Sequence, residues 1–179
     1  MTQRNPAFGP HVTNREAVAA AVGLTVDDLH AGLPVQEVSC GAPFLMIPLR
    51  DRATVDRAVS DAAAIKRLDS VEAGLPLGVF LFAILPAGSA ETIYSRMFGA
   101  NVGIVEDAAT GSASGPVGAY LVHHRFVHGD AALRIVSLQG VAMKRPSRIH
   151  IAISGMPEAI TLVKVGGEAV LVGEGTLLV

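Results

Sequence analysis

Two adjacent carboxylates, Glu106 and Asp107, stand six and five residues ahead of Ser112, across a turn of small residues. Neighbouring carboxylates point apart on most backbones, so they do not form a ready acid–base couple. One of them could transfer a proton. Either could instead sit as a stabilising negative charge at a helix N-terminus. The run Gly111-Ser112-Ala113-Ser114-Gly115 resembles a nucleophile elbow, but its central residue is Ala113, so hydrolase chemistry of that kind is excluded. Ser112 reads better as a hydrogen-bond donor to an anion. His123 and His124 lie roughly 15 Å further along a helix at ~1.5 Å per residue, and no His or carboxylate four residues on completes a metal site. They read as core or surface histidines. Cys40 is the only cysteine, which rules out an intrachain disulfide and reads as a small buried hydrophobe. Arg96, Lys144 and Arg145 are the cations expected to approach an anionic ligand or to pair with Glu106.

These residues need a helix to position them. Downstream of Gly111 the chain is Ala/Gly-rich and apolar as far as His123. A helix with no polar face is buried all round. Thr110 or Ser112 can act as its N-cap, and Pro116 is tolerated only near its start, which places that start within residues 112–115. Free N–H groups and the positive end of the macrodipole would then meet the small-residue turn, an arrangement suited to a carboxylate or sulfate.

The remaining elements follow from pattern. Residues 1–12 form an entry strand or linker. Thr13 or Asn14 caps a helix through Val22, with Glu16 in its first turn and Gly23 at its end, and Thr25 caps one short turn. Strands are expected over 35–38, 44–49, 79–85, 92–98, 133–138 and 148–153, the last with Ile149, Ile151 and Ile153 alternating. An Ala-rich amphipathic helix runs from Thr54 to about Leu68. Residues 160–165 and 169–172 pair as a hairpin around Gly166-Gly167, and residues 173–179 supply a terminal strand. The expected fold is α+β, a curved mixed or antiparallel sheet wrapped around a central apolar helix, in a single domain over residues 1–179.

Half of the residues are hydrophobic and 17% are charged, with a net charge of −2 and no basic cluster. Nucleic-acid binding needs concentrated Lys and Arg, so it is not expected. The apolar run over 78–85 is far shorter than the ~20 residues that span a bilayer, and the opening six residues lack the apolar stretch of a signal peptide. A cytoplasmic location is expected, without membrane partners.

The segment Glu106-Asp107-Ala108-Ala109-Thr110-Gly111-Ser112-Ala113 resembles the Glu-Asp-Pro-Ala-Thr-Gly-Ser-Ala signature of the PhzF-like phenazine-biosynthesis family, relatives of diaminopimelate epimerase, with Ala108 in place of Pro. Arg96-Met97-Phe98, Gly103-Ile104, Gln139-Gly140, Arg145-Pro146-Ser147 and the segment from Val165 to Val170 agree with it in order. The resemblance covers the second half of a typical member. It implies a diaminopimelate epimerase-like half fold. It also implies an isomerase or epimerase that uses no cofactor and no metal, and moves a proton beside the carboxylate of a small substrate. Asp107 and Ser112 correspond to the family's cleft residues and are the catalytic candidates. Thr110, Gly111 and Ala113 beside them are expected to bind the substrate's anionic group. The family's principal acid–base glutamate belongs to the first half, at a position outside this sequence, so weak turnover is expected of this chain alone. Two other readings remain: a silent anion-binding or assembly module, and a subunit that completes a separately encoded first half. An apolar flank left open by the missing half predicts a homodimer, joined through the cleft face or through the terminal strand.

Overall fold

The computed structural model describes residues 1–68 and 78–176. Its elements in chain order are β1 (Thr2–Gln3), β2 (Ala7–His11), α1 (Arg15–Ala21), β3 (Gln36–Ser39), β4 (Pro43–Pro48), α2 (Arg52–Arg57), α3 (Ala62–Leu68), β5 (Val79–Ile84), β6 (Ile93–Gly99), β7 (Ile104–Asp107), α4 (Gly111–His123), β8 (Ile135–Gln139), β9 (Ser147–Met156) and β10 (Ala159–Gly166). Short 3-10 turns follow α1 and precede β7 and β8. Among the described residues one curled mixed sheet runs in the order β1-β10-β9-β8-β6-β5-β4-β3-β2, with β7 paired to β6. Pairing is antiparallel except for β4 with β5 and β6 with β8.

The sheet has a core on each face. Inside the curl lies α4, packed on β3, β4, β9 and β10. Residues 113–122 of this helix are all buried, as an apolar helix without a polar face must be. Glycine allows the close fit. A Cβ on Gly118 would stand 2.5 Å from Ile151 Cγ2, and one on Gly115 would stand 1.9 Å from Gln3 Oε1. On the other face α1, α2 and α3 cover a second apolar layer that includes Val22, Ile47, Leu81 and Tyr94. No helix among the described residues is long and apolar enough to cross a membrane.

The caps match the sequence. Asn14 accepts from the Ala17 N–H at the start of α1, and the helix runs out at Gly23, whose φ is +69°. The Thr25 N–H and hydroxyl both donate to Asp28, and Arg57 pairs with that carboxylate. These contacts hold the Asp28 pKa down, the Thr25 amide most of all.

Several expectations need correction. The Ala-rich helix from Thr54 is two helices, α2 and α3. Asp51 caps the first through the Thr54 N–H, and Asp61 starts the second by accepting from the Ala64 N–H. Between them the Val59 and Asp61 amides turn away to Val22 and Ala21 carbonyls. Tertiary hydrogen bonds thus outbid the local helix. The hairpin over 160–172 does not form. β10 pairs with β9 on one side, and its other edge is taken by β1, with Thr2 opposite Lys164 and Gln3 opposite Val163. Residues 167–176 therefore lie outside any strand and are exposed. The terminal strand over 173–179 is absent from 173–176, and residues 177–179 lie outside the described residues. The entry segment holds two strands, β1 and β2, on opposite edges of the sheet.

Candidate functional site

Glu106 and Asp107 end β7 and face different partners, as adjacent residues of a strand do. The Glu106 carboxylate takes two bonds from Arg96, Nε to Oε1 at 2.9 Å and Nη2 to Oε2 at 2.8 Å. Both side chains are nearly buried, 10% and 13% exposed, so an unpaired charge at either position would be costly. Arg96 Nη1 also donates to the carbonyls of Val55, Asp56 and Ala58, closing the C-terminal end of α2. Glu106 pushes the Arg96 pKa further up. This pair ties β7 to β6 and fixes the approach to the turn. It is structural, as the sequence allowed.

Asp107 points into the turn. Its Oδ2 accepts from the Thr110 hydroxyl at 2.7 Å, and its Oδ1 receives the Ala109 N–H at 3.5 Å. Gln139, fully buried at the end of β8, locks this arrangement. Its Oε1 accepts from the Thr110 N–H, and its Nε2 donates to the Asp107 carbonyl at 2.7 Å and the Thr110 hydroxyl oxygen at 2.9 Å. Because Gln139 occupies a lone pair of that hydroxyl, the hydroxyl proton is directed to Asp107. The carboxylate is thereby held as an acceptor. Gly140, with φ at +79°, lets the next loop close over the turn: a Cβ there would meet the Ala108 oxygen at 2.6 Å and the Arg145 oxygen at 2.4 Å.

Helix α4 begins at Gly111, one residue ahead of the expected window, with Thr110 at the N-cap. The Thr110 carbonyl receives the Ala113 and Ser114 amides and the Ser114 hydroxyl, which starts the helix early. The Thr110 hydroxyl itself does not cap, being spent on Asp107. Pro116 falls in the second turn, so the Ser112 carbonyl lacks its usual donor four residues on. The Ser112 side chain is exposed and has no protein hydrogen-bond partner among the described residues. It opens onto a depression of about 410 Å³ walled by Thr2, Gln3, Arg4, Cys40 and Ala42. Gln3 Nε2 donates to the Gly111 carbonyl at 2.8 Å, while its Oε1 is buried without a partner. Arg4 carries an exposed guanidinium with no ion pair among the described residues.

The expected residues thus divide. Ser112 and the start of α4 border the depression, and Gly111 lies under Met1 and Gln3. Asp107 is half-buried and Thr110 buried in the same turn, and Ala113 is buried within the helix. Lys144 and Arg145 are exposed on the loop after Gly140. Sequence reasoning missed three contributors. Gln139 had a signal in the Gln-Gly pair, yet its bonding role shows only in three dimensions. Gln3 and Arg4 had none, because they are more than a hundred residues away in the chain.

Cys40, His123 and His124 take other roles. Cys40 is 6% exposed and burial pushes its pKa up to about 12, so it is no thiolate nucleophile. His123 Nδ1 bonds the Pro157 carbonyl and its ring stacks on Phe8 at 4.1 Å. His124 Nε2 bonds Gln36 Oε1 at 2.9 Å. Among the described residues no group of His, Cys, Asp and Glu could hold a metal ion.

A curled mixed sheet around a glycine-rich helix, with an acid–threonine–glutamine brace at its N-terminus, defines an α+β protein. The family model "Phenazine biosynthesis-like protein" (PhzC-PhzF) matches residues 1–175. The chain belongs to that family. It is 38% identical over 168 residues to YddE of Escherichia coli K12, described as an isomerase, covering 90% of this chain and 55% of that protein. It is 41% identical over 92 residues to trans-2,3-dihydro-3-hydroxyanthranilate isomerase of Pseudomonas fluorescens, covering 51% of this chain and 32% of that enzyme. Among solved structures, a Pseudomonas aeruginosa protein titled a "predicted epimerase" superposes with a TM-score of 0.69 at 30% identity, covering 94% of this chain and 56% of that one. A PhzF-family protein of Bacillus anthracis shares the fold with a TM-score of 0.78. The chain spans about half the length of the curated relatives it matches over most of its own residues.

Proposed function

We propose that this chain takes part in a PhzF-like isomerase or epimerase reaction, a cofactor-independent proton transfer on a small carboxylated substrate. The observation that carries this is the Gln139–Thr110–Asp107 relay, which presents an acceptor carboxylate one turn ahead of the free Ser112 hydroxyl. In this reading the substrate's carboxylate lies against Ser112, the first N–H groups of α4 and Arg4. Asp107 takes a proton from a carbon near that carboxylate, or returns one. The positive groups stabilise the charge that develops when the C–H bond breaks, and a donor already in place needs no reorganisation during reaction. A positioned general base is worth about 10²–10⁴-fold in rate.

The test is solvent-deuterium incorporation, followed by NMR, into trans-2,3-dihydro-3-hydroxyanthranilate and a panel of small chiral carboxylates. Exchange is expected to be slow, and Asp107→Asn to reduce it about 100-fold or more. Exchange that is indifferent to Asp107→Asn rejects the role. The exposed Ser112 hydroxyl beside the start of α4 also fits a second reading, an anion-binding subunit that acts with another polypeptide. It predicts carboxylate binding that Ser112→Ala weakens, with no exchange by the chain alone.

A further inference from the structure

The side-chain carboxylates at the end of β7 offer four oxygens, and the fold occupies three of them. Both oxygens of Glu106 accept from Arg96, at 2.9 and 2.8 Å. Asp107 Oδ2 accepts from the Thr110 hydroxyl at 2.7 Å. Asp107 Oδ1 has only the Ala109 N–H at 3.5 Å, well beyond the usual N···O distance of about 2.9 Å. Arg96 is spent on Glu106, and Asp107 has no ion pair among the described residues.

The direction of the bonds behind Asp107 follows from Gln139. This side chain is fully buried, so its amide must find partners inside the protein. Its nitrogen faces two oxygens, the Asp107 carbonyl and Thr110 Oγ1, and its oxygen faces the Thr110 N–H. The reversed amide would set oxygen against two oxygens and NH2 against an N–H. The nitrogen therefore donates to the Thr110 hydroxyl, and Thr110 must send its own proton elsewhere. Asp107 Oδ2 is the acceptor it meets. Thr110 is held in place as well: its carbonyl takes the Ser114 amide and hydroxyl at the start of α4.

The two oxygens of Asp107 thus differ chemically. A proton placed on Oδ2 would oppose the Thr110 proton and turn that hydroxyl out of its bond, in a buried turn. A proton placed on Oδ1 disturbs neither Thr110 nor Gln139. A carboxylate gripped through one oxygen and open at the other stays in register while it reacts, and a misplacement of about 1 Å can cost about 100-fold in rate. Glu106, one residue away, has no such open oxygen.

We propose that Oδ1 of Asp107 is the atom that exchanges the substrate's proton, and that Thr110 and Gln139 are positioning residues that keep Oδ1 open by occupying Oδ2. This deepens the proton-transfer reading of Asp107 and rests on it. In the step, the substrate C–H bond beside its carboxylate breaks, the electron pair stays on that carbon, and an O–H bond forms at Oδ1. Return of a proton from Oδ1 to carbon reverses the balance, and solvent deuterium enters through that oxygen.

Two measurements on the full chain test this. The first is NMR without substrate. The Thr110 hydroxyl proton should appear as a slowly exchanging resonance, and should persist when acid protonates Asp107, followed at its Cγ carbon. A hydroxyl resonance lost as Asp107 protonates puts the proton on Oδ2, and one absent at every pH removes the brace; either overturns the proposal. The second is solvent-deuterium incorporation. Thr110→Val should slow exchange about tenfold or more while leaving the affinity for acetate within about twofold, and Thr110→Ser should restore most of the parent rate. Unchanged exchange in Thr110→Val, or a Thr110→Ser variant equally slow, overturns the positioning role. Failure of the isomerase reading looks different: no exchange by the parent, or exchange indifferent to Asp107→Asn. The hydroxyl resonance then still decides which oxygen is braced.

Discussion

The two ends of α4 are built oppositely from the same helix. At the C-terminal end the chain is sealed. Tyr120 donates to the Pro34 carbonyl, His123 stacks on Phe8, and His124 bonds Gln36 while its ring centroid lies 4.3 Å from that of Tyr120. At the N-terminal end the residues are small, the bonding sits behind the backbone in Gln139, and the Ser112 hydroxyl opens onto a depression. A helix terminus leaves backbone groups without intrahelical partners. Here the Tyr120, Leu121 and Val122 carbonyls accept the backbone N–H groups of residues 124–127, and the N–H end is left for something else. A helix buried along its whole length thus has one sealed end and one open end, decided by what the sheet edges bring to each.

Breaking the frame of the open end should have the largest effect. Arg96→Met leaves Glu106 buried and unpaired and frees three carbonyls of α2, and should cost about 3–5 kcal/mol of stability in urea unfolding. The next effect is finer. Gln139→Leu keeps the bulk but strips the Thr110 amide and hydroxyl of their partner, a loss of about 1–3 kcal/mol. It should also let the Thr110 hydroxyl rotate away from Asp107, so that NMR shifts concentrate over residues 107–112. Shifts spread evenly over the sheet would argue against the brace.

The sealed end is tested by pH. A helix C-terminus ordinarily favours a charged histidine, yet burial, with His123 and His11 nearby, brings the His124 pKa down to about 4 from its usual value near 6.5. The unfolded chain then takes up the proton first. Stability should be flat in this respect above about 6.5 and fall as pH drops towards about 4. The loss is about 1–2 kcal/mol once solvent screening at this half-buried position is allowed for. His124→Gln should flatten that slope relative to the parent in thermal unfolding between those pH values. The smallest structural effect belongs to Ser112→Ala. An exposed, unpartnered hydroxyl should change stability by no more than about 0.5 kcal/mol. Affinity for a carboxylate probe should nevertheless drop several-fold, separating a ligand contact from a structural one.

Much of this was legible from residue order, because the forces involved are local. The buried character of α4 follows from its lack of polar side chains, the Asn14 and Thr25 caps from their hydroxyl or amide groups ahead of helical runs, and the half-buried strand β9 from Ile149, Ile151 and Ile153 at period two. Asp107 and Ser112 stood out through the signature, and the division of Glu106 from Asp107 through their adjacency. Only the tertiary structure decided the rest. Whether residues 54–68 made one helix depended on amides drawn off to Ala21 and Val22. Whether residues 169–172 paired depended on β1 occupying the edge of β10, more than 150 positions away in the chain. Gln3, Arg4 and Gln139 joined the turn at Ser112 for the same reason. Hydrogen bonds between distant segments are won by whichever partner the closed sheet delivers, and no local preference in the sequence records that competition.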